Sequence, residues 1–125
     1  MSAVLGRRRV LVLEDEALVA MLLETILRDQ GCEVVGPVNT LSDALSVAQG
    51  DEPLDAALLD VQLGKETCFA AAEALMARNV PVVFSSGHGK AALPSEWRDH
   101  PVLQKPFNEV AIRAALMRAM KISQA

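Results

Sequence analysis

Residues 10–15 read VLVLED: four aliphatic residues run straight into two carboxylates. An unbroken aliphatic run of this length is typical of a β-strand that is covered on both faces, as the strands of parallel sheets are. The two acids would then stand at the carboxyl end of that strand. The stretch therefore predicts an α/β fold with a polar site at one edge of a buried parallel sheet.

Outward from this stretch, short apolar runs alternate with helical patterns along the whole chain. Four further strand-like runs lie at residues 33–38, 55–60, 81–85 and 102–104. Apolar residues at helical spacing separate them, and each group predicts one helix with an apolar face. The predicted faces are Val19, Leu22, Leu23 and Ile26; Leu41, Ala44, Leu45 and Ala48; Phe69, Ala72 and Met76; and Ile112, Ala115, Leu116, Ala119 and Met120.

The segment between the fourth and fifth runs breaks this alternation. Gly87, Gly89 and Pro94 disfavour a regular helix, so we expect one or two irregular turns where a fourth helix would stand. Alternating βα units imply a parallel sheet with helices on both faces, and five units are too few for a closed barrel. The sequence therefore predicts an open, doubly wound sheet.

The composition limits the class of protein. The chain has 125 residues, of which 51% are hydrophobic, and we expect residues 1–125 to form one domain with an ordinary core. The net charge of −4 argues against nucleic acid as a partner, and the apolar run 10–13 is too short for a signal peptide or a membrane span. Cys32 and Cys68 fit no metal or redox spacing and are expected to be buried thiols. These features predict a cytoplasmic protein without a membrane or nucleic-acid partner.

Polar residues follow the predicted strands at the edge where doubly wound sheets place their sites. Glu14 and Asp15 end the first strand, Asp60 ends the third, Ser86 follows the fourth and Lys105 follows the fifth. Neighbouring strands lie about 4.8 Å apart, so the acids should be close enough to raise one another's pKa. Mg²⁺ prefers oxygen ligands and would offset this repulsion together with the lysine. The sequence therefore predicts a magnesium site at this edge.

Four motifs resemble the receiver domain of bacterial two-component response regulators. They are VLVLED at 10–15, LLDV at 58–61, VFSSG at 83–87 and QKPF at 104–107. None is specific alone, but all four stand in order at the expected strand ends, and the resemblance covers essentially the whole chain. It implies a flavodoxin-like (βα)5 sheet with strand order 2-1-3-4-5. The segment 84–87 is partly similar to the Phe-Ala-Thr-Gly motif of stand-alone alphaproteobacterial receivers, in which the fourth helix is degraded.

The resemblance implies the roles of three residues toward a phosphoryl group. Asp60 would be the phosphorylated nucleophile, which attacks a phosphohistidine or a small acyl phosphate. The Ser86 hydroxyl would donate to one phosphoryl oxygen, and Lys105 would pair with another. A cis peptide bond between Lys105 and Pro106 would aim the lysine at the site.

The resemblance also implies a ligand set and two tuning residues. Asp15, Asp60 and the backbone carbonyl of Gln62 would bind Mg²⁺, and Glu14 would bind it through water. The side chains of Gln62 and His88 would lie over the phosphoryl group and tune its hydrolysis. For His88, an exposed loop histidine without such a role is an equally good interpretation.

Three positions depart from the family pattern. Glu14 stands where most relatives carry aspartate, and Leu-Gly at residues 63–64 replaces the usual Met-Pro. Val102 occupies the position of the family's aromatic switch residue, and the chain contains no tyrosine. Because an aromatic switch cannot operate here, we expect the signal to pass through the loop 87–100.

The function predicted from these residues is that of a phosphoacceptor receiver and not of an enzyme. Its partners would be a histidine kinase or a histidine phosphotransfer protein, and it would signal by binding a further protein. A pseudo-receiver that binds without being phosphorylated is the first alternative. A small hydrolase with an aspartyl intermediate ranks last, because the Asp-x-Asp motif and cap insertion of such enzymes are absent from the sequence.

Two aromatic residues of the loop 87–100 carry separate expectations. We expect Trp97 to fill the groove left by the weak fourth helix, although a contact with a partner is the alternative. We expect His100 to be a surface residue without a partner.

Overall fold

A parallel sheet of five strands runs through the centre of the protein, whose computed structural model describes residues 5–122. The predicted domain limits at residues 1 and 125 lie outside this range. The strands in chain order are β1 (Arg9–Leu13), β2 (Glu33–Val38), β3 (Ala56–Asp60), β4 (Gln62–Leu63), β5 (Glu66–Thr67), β6 (Val82–Ser86) and β7 (Val102–Gln104). The sheet has the order β2-β1-β3-β6-β7, while β4 and β5 form a separate hairpin. Since β6 and β7 are the fourth and fifth strands of the sheet, the predicted order 2-1-3-4-5 is confirmed.

Four α-helices cover the two faces of the sheet. They are α1 (Ala17–Asp29), α2 (Leu41–Ala48), α3 (Phe69–Ala77) and α4 (Glu109–Ala119). Two short 3₁₀ helices, Gly89–Ala92 and Ser95–Trp97, replace a helix between β6 and β7, which confirms the predicted irregular turns. Within the described part of the chain, no helix is both long and apolar enough to cross a membrane.

Alternate residues of the strands belong to two hydrophobic cores, one on each face of the sheet. On one face, β1, β3 and β6 contribute residues such as Leu11, Leu59 and Phe84, which pack against α2 and α3. On the other face, residues such as Val12 and Leu58 pack against α1 and α4. Both faces are buried because crossover helices cover them, which explains the unbroken apolar runs of the sequence. The predicted free, buried state of both cysteines is also confirmed.

The apolar faces of two helices are rotated relative to the prediction. On α1, Leu23 and Leu27 are buried, whereas Leu22 is 47% exposed. On α3, Leu75 is buried and Met76 is exposed. Both helices carry apolar residues on more than one side, so spacing alone does not define which stripe meets the sheet. The predictions for Leu22 and Met76 as core residues are therefore wrong.

Candidate functional site

Three carboxylates meet where β1 and β3 end side by side. The strands are paired in register up to Leu13 and Leu59, which places Glu14 next to Asp60. Glu14 and Asp60 are buried, and Asp15 is exposed. One oxygen from each of the three carboxylates lies within 4.8 Å of the others. The predicted convergence of acids at the carboxyl edge of the sheet is therefore present in the structure.

Lys105 supplies the positive charge at this edge. Its backbone N–H donates to the carbonyl of Ser86 at 2.9 Å, which fixes the start of the side chain next to the end of β6. Its Nζ lies 3.1 Å from Glu14 Oε1, 3.3 Å from Asp60 Oδ2 and 3.9 Å from Glu16 Oε1. The peptide bond between Lys105 and Pro106 is cis, as the resemblance implied. The lysine thus bridges the buried carboxylates of two neighbouring strands.

The charges of this cluster are suited to a divalent cation. Three carboxylates face a single ammonium group, so the fully ionised set carries a net charge of −2. Glu14 Oε1 is buried, and Lys105 Nζ lies 3.1 Å away as its ion-pair partner. Hard carboxylate oxygens of this kind are the ligands that Mg²⁺ prefers. Glu14, Asp15 and Asp60 therefore fit the predicted magnesium site.

Two groups of the cluster have perturbed acidities. Burial and the adjacent Glu14 carboxylate raise the pKa of Asp60 to about 7, and Lys105 opposes this increase. Burial lowers the pKa of Lys105, but its contacts with Glu14 and the charge of Asp60 outweigh burial and raise that pKa above its usual value. Without a cation, Asp60 is therefore protonated more easily than an ordinary aspartate, while Lys105 holds its proton more firmly than an ordinary lysine.

The raised pKa of Asp60 predicts a stability that depends on pH in the absence of metal. The native state binds an additional proton between the unfolded pKa of 3.8 and the folded pKa of about 7. The free energy of unfolding should therefore fall as pH rises through this window. Asp60→Asn removes the buried charge, so we expect it to stabilise the metal-free protein at pH 8 by about 2 kcal/mol. At pH 5, which lies within the window, the difference should be less than half as large.

Urea unfolding of wild type and Asp60→Asn in EDTA, at pH 5 and pH 8, measures this effect. The difference between the two proteins isolates Asp60 from the other titrating groups. A stability difference that is the same at both pH values would contradict the raised pKa.

A cleft of about 690 Å³ opens above the cluster. Ser86 lies at its wall, and its Oγ accepts the backbone N–H of His88 at 3.0 Å, so the hydroxyl proton remains available to a ligand. His88 also lines the cleft, and its side chain is exposed. The structure thus places Ser86 and His88 at the mouth of the site. Val102 is not among the residues that line the cleft.

Residues that the sequence interpretation missed also line the cleft. Thr67 and Phe69 form part of its wall, on the side of the hairpin β4–β5. Glu16 is another lining residue and approaches Lys105. A two-residue Gly-containing loop at 64–65 between short extended segments is a known hairpin signal, and it could have revealed the hairpin.

Four rings pack together beside the cleft, and two of them belong to the loop 87–100 and attach it to the core. Trp97 is buried, with its ring centroid 6.0 Å from Phe69, 5.5 Å from Phe84 and 5.2 Å from His100. The prediction that Trp97 fills a groove is confirmed. The prediction that His100 has no partner is wrong, since its ring packs edge-on against Phe84 at 5.8 Å. A lone histidine in the sequence gives no indication of such ring contacts.

Comparison with known proteins agrees with this geometry. The family model of the response regulator receiver domain matches residues 10–117. The phyllosphere-induced regulator PhyR of Methylorubrum extorquens is 30% identical over 119 residues, which cover 92% of this chain and 44% of PhyR. The chain thus spans less than half the length of this curated relative.

Solved structures resemble the chain over nearly its whole length. SdrG from Sphingomonas melonis Fr1 is 43% identical with a TM-score of 0.81, and the match covers 97% of this chain and 99% of SdrG. The receiver domain of the sensor histidine kinase PA1611 from Pseudomonas aeruginosa PAO1 is 24% identical with a TM-score of 0.76, covering 93% and 99% of the two chains. At this identity it supports the fold alone; that structure contains a magnesium ion in its active-site cleft.

Proposed function

Since the chain belongs to the family of response regulator receiver domains, which are signalling modules of two-component systems, we propose that Asp60 accepts a phosphoryl group in a Mg²⁺-dependent reaction. The observation that carries this proposal is the position of Lys105 Nζ, within 3.3 Å of both Glu14 and Asp60. Such a lysine keeps a cationic group next to the nucleophile, where negative charge must be neutralised as phosphoryl transfer proceeds.

The residues around Asp60 fit the steps of such a transfer. A carboxylate oxygen of Asp60 forms a bond to phosphorus, and the bond between phosphorus and the donor's leaving group breaks. Lys105 pairs with a phosphoryl oxygen, and the Ser86 hydroxyl donates to another. Asp15, Asp60 and the Gln62 carbonyl would hold Mg²⁺, with Glu14 acting through water. When bound, the ion neutralises charge on the transferring group.

The test of this proposal is the intact mass of the protein after incubation with acetyl phosphate, with Mg²⁺ and with EDTA. A gain of one phosphoryl group that requires Mg²⁺ would support it. Absence of any gain, repeated with a phosphorylated histidine kinase or phosphotransfer protein as the donor, would overturn it. In that case the chain would be a pseudo-receiver, an alternative that the non-aromatic Val102 at the switch position leaves open although the intact set of site residues speaks against it.

The donor would be a histidine kinase or a histidine phosphotransfer protein, and the output would be a protein contact, with neither nucleic acid nor membrane as a partner. We propose that residues 1–125 form a single cytoplasmic receiver domain, which has no activity as an enzyme beyond its own phosphorylation and dephosphorylation. SdrG supports a response to phosphoryl mimics, since its BeF3-activated conformation has been solved.

The signal is proposed to leave the site through the loop 87–100. Its two 3₁₀ helices are held by few i to i+3 backbone bonds, such as Leu93 N–H to the Lys90 carbonyl at 3.0 Å, which makes the loop easy to rearrange. Phe69 links the wall of the cleft to Trp97 in this loop. Val102, the switch position, lies on β7 and is half-buried.

Amide exchange should therefore change in the loop when a phosphoryl mimic binds. With Mg²⁺ and beryllofluoride we expect rates in 87–100 to change by about threefold or more, because the loop samples open states of low free energy. Helix α2 serves as the internal control, since it lies outside the cleft. Unchanged rates in 87–100, in a protein that binds the mimic, would contradict this route.

A further inference from the structure

The residues after Asp60 form the hairpin β4–β5, which contains the proposed Mg²⁺ ligand Gln62. Strands β4 and β5 pair as Gln62 with Thr67 and Leu63 with Glu66, and a two-residue turn joins them. Gly64 in this turn has a φ of +65°, as the first position of a type II′ hairpin requires. A two-stranded hairpin of this length is marginally stable in isolation, so each added bond affects how often it is formed.

The register of the hairpin leaves one backbone carbonyl unused. Pairs in an antiparallel ladder alternate between hydrogen-bonded and non-hydrogen-bonded. The pair next to the turn, Leu63 and Glu66, is of the bonded kind, and beyond the hairpin Cys68 N–H donates to the Val61 carbonyl at 3.1 Å. The intervening pair, Gln62 and Thr67, is therefore non-hydrogen-bonded. The ladder thus leaves the Gln62 carbonyl free to bind a cation.

The side chain of the same residue holds the hairpin together. Gln62 Nε2 donates to the Gly64 carbonyl at 2.6 Å and lies 3.4 Å from the Glu66 carbonyl. These two carbonyls belong to the turn and to the opposite strand. The amide group is therefore occupied within the hairpin, and its donors are not directed to a group bound on Asp60.

We propose that the Gln62 side chain is a positioning residue that clamps the hairpin and so holds its own backbone carbonyl in place as a Mg²⁺ ligand. It would set the affinity for the ion and would not act on the phosphoryl group through its amide. This inference rests on the proposed metal site. If the binding-competent hairpin is populated less often, the apparent dissociation constant rises in proportion.

The test is a calorimetric titration of the full chain with Mg²⁺ alone. Gln62→Met keeps the length of the side chain but removes the donors, and we expect the Kd for Mg²⁺ to rise about threefold to tenfold, the effect of one exposed hydrogen bond. Gly64→Val disturbs the hairpin through the backbone, because a β-branched residue is strained at a positive φ, and should raise the Kd as well. Gly64→Asn tolerates that φ and meets no atom within 4 Å of its Cβ, so it should bind Mg²⁺ as the wild type does.

The outcomes separate this inference from the proposed function. A wild type that fails to bind Mg²⁺ would overturn both. A wild type that binds Mg²⁺, with an unchanged Kd in Gln62→Met and an altered lifetime of the phosphorylated protein, would overturn the clamp alone and restore the tuning role. Gln62 is exposed, so its substitution should leave the five-stranded sheet and its two cores intact, and this variant decides the question even if Gly64→Val does not fold.

Discussion

Asp60→Asn is expected to abolish the covalent phosphorylation of this chain, with a loss of at least about a hundredfold in modified protein. Asp60 is the buried acid at the end of β3, and Lys105 Nζ stands 3.3 Å from its Oδ2. The amide of asparagine keeps the shape of the side chain but is a very weak nucleophile, and it cannot form the acyl phosphate. Intact mass after incubation with acetyl phosphate and Mg²⁺ measures the difference.

A matched control separates this effect from a general loss of charge. Asp43→Asn makes the same substitution on the exposed first turn of α2, at a residue that does not line the cleft, and should be phosphorylated as the wild type is. If Asp60→Asn gained a phosphoryl group to the same extent as the wild type, the acceptor would be a different residue. Peptide mapping of the modified protein would then identify it.

The site could be predicted because the fold brings the ends of separate strands together in space. Glu14, Asp60 and Lys105 are far apart in the chain, but each stands at or directly after the end of a strand of one parallel sheet. The carboxyl ends of such strands meet at one edge, so the end of each apolar run indicates a neighbour in space. Continuous aliphatic runs are also easy to recognise, which is why most strand bounds agree with the structure, whereas the strand order was implied by the family resemblance.

Features that depend on contacts between side chains were not predictable in the same way. The buried stripe of α1 includes Leu27 in place of Leu22. This helix has apolar residues on more than one side, so its packing against the sheet decides which side is buried. The partners of His100 are rings from β6 and the second 3₁₀ helix, and no local pattern links them. Long-range packing of this kind is set by the assembled core.

The hairpin β4–β5 illustrates a third kind of difficulty. Its strands have two residues each, too short for a periodic pattern to be detected. The turn residue Gly64 was noted only as a departure from the family. Its positive φ now explains why glycine occupies this position, since few other residues adopt it without strain. A departure from a family motif can thus mark a different local structure.

Lys105→Met is expected to have opposite effects on phosphorylation and on metal binding. Methionine has a similar length but no charge, so the variant loses the group that would pair with a phosphoryl oxygen. Removing one preorganised donor from such a site costs about a hundredfold in rate, which we expect for phosphorylation by acetyl phosphate. Mg²⁺ should bind about tenfold more tightly, because a competing cation beside Glu14 and Asp60 has been removed.

Slower phosphorylation together with tighter Mg²⁺ binding would show that Lys105 acts on phosphoryl transfer through its positive charge. The two quantities are measured separately, by the rate of mass gain and by calorimetric titration with Mg²⁺, and Lys121→Met at an exposed position just after α4 provides the matched control. If phosphorylation and Mg²⁺ affinity fell together, the lysine would be a structural support of the acidic cluster, because loss of the local arrangement weakens both. A normal rate of phosphorylation in Lys105→Met would show that the ammonium group takes no part in the transfer. The opposite signs are expected because the same positive charge helps an anionic phosphoryl group and hinders a cation.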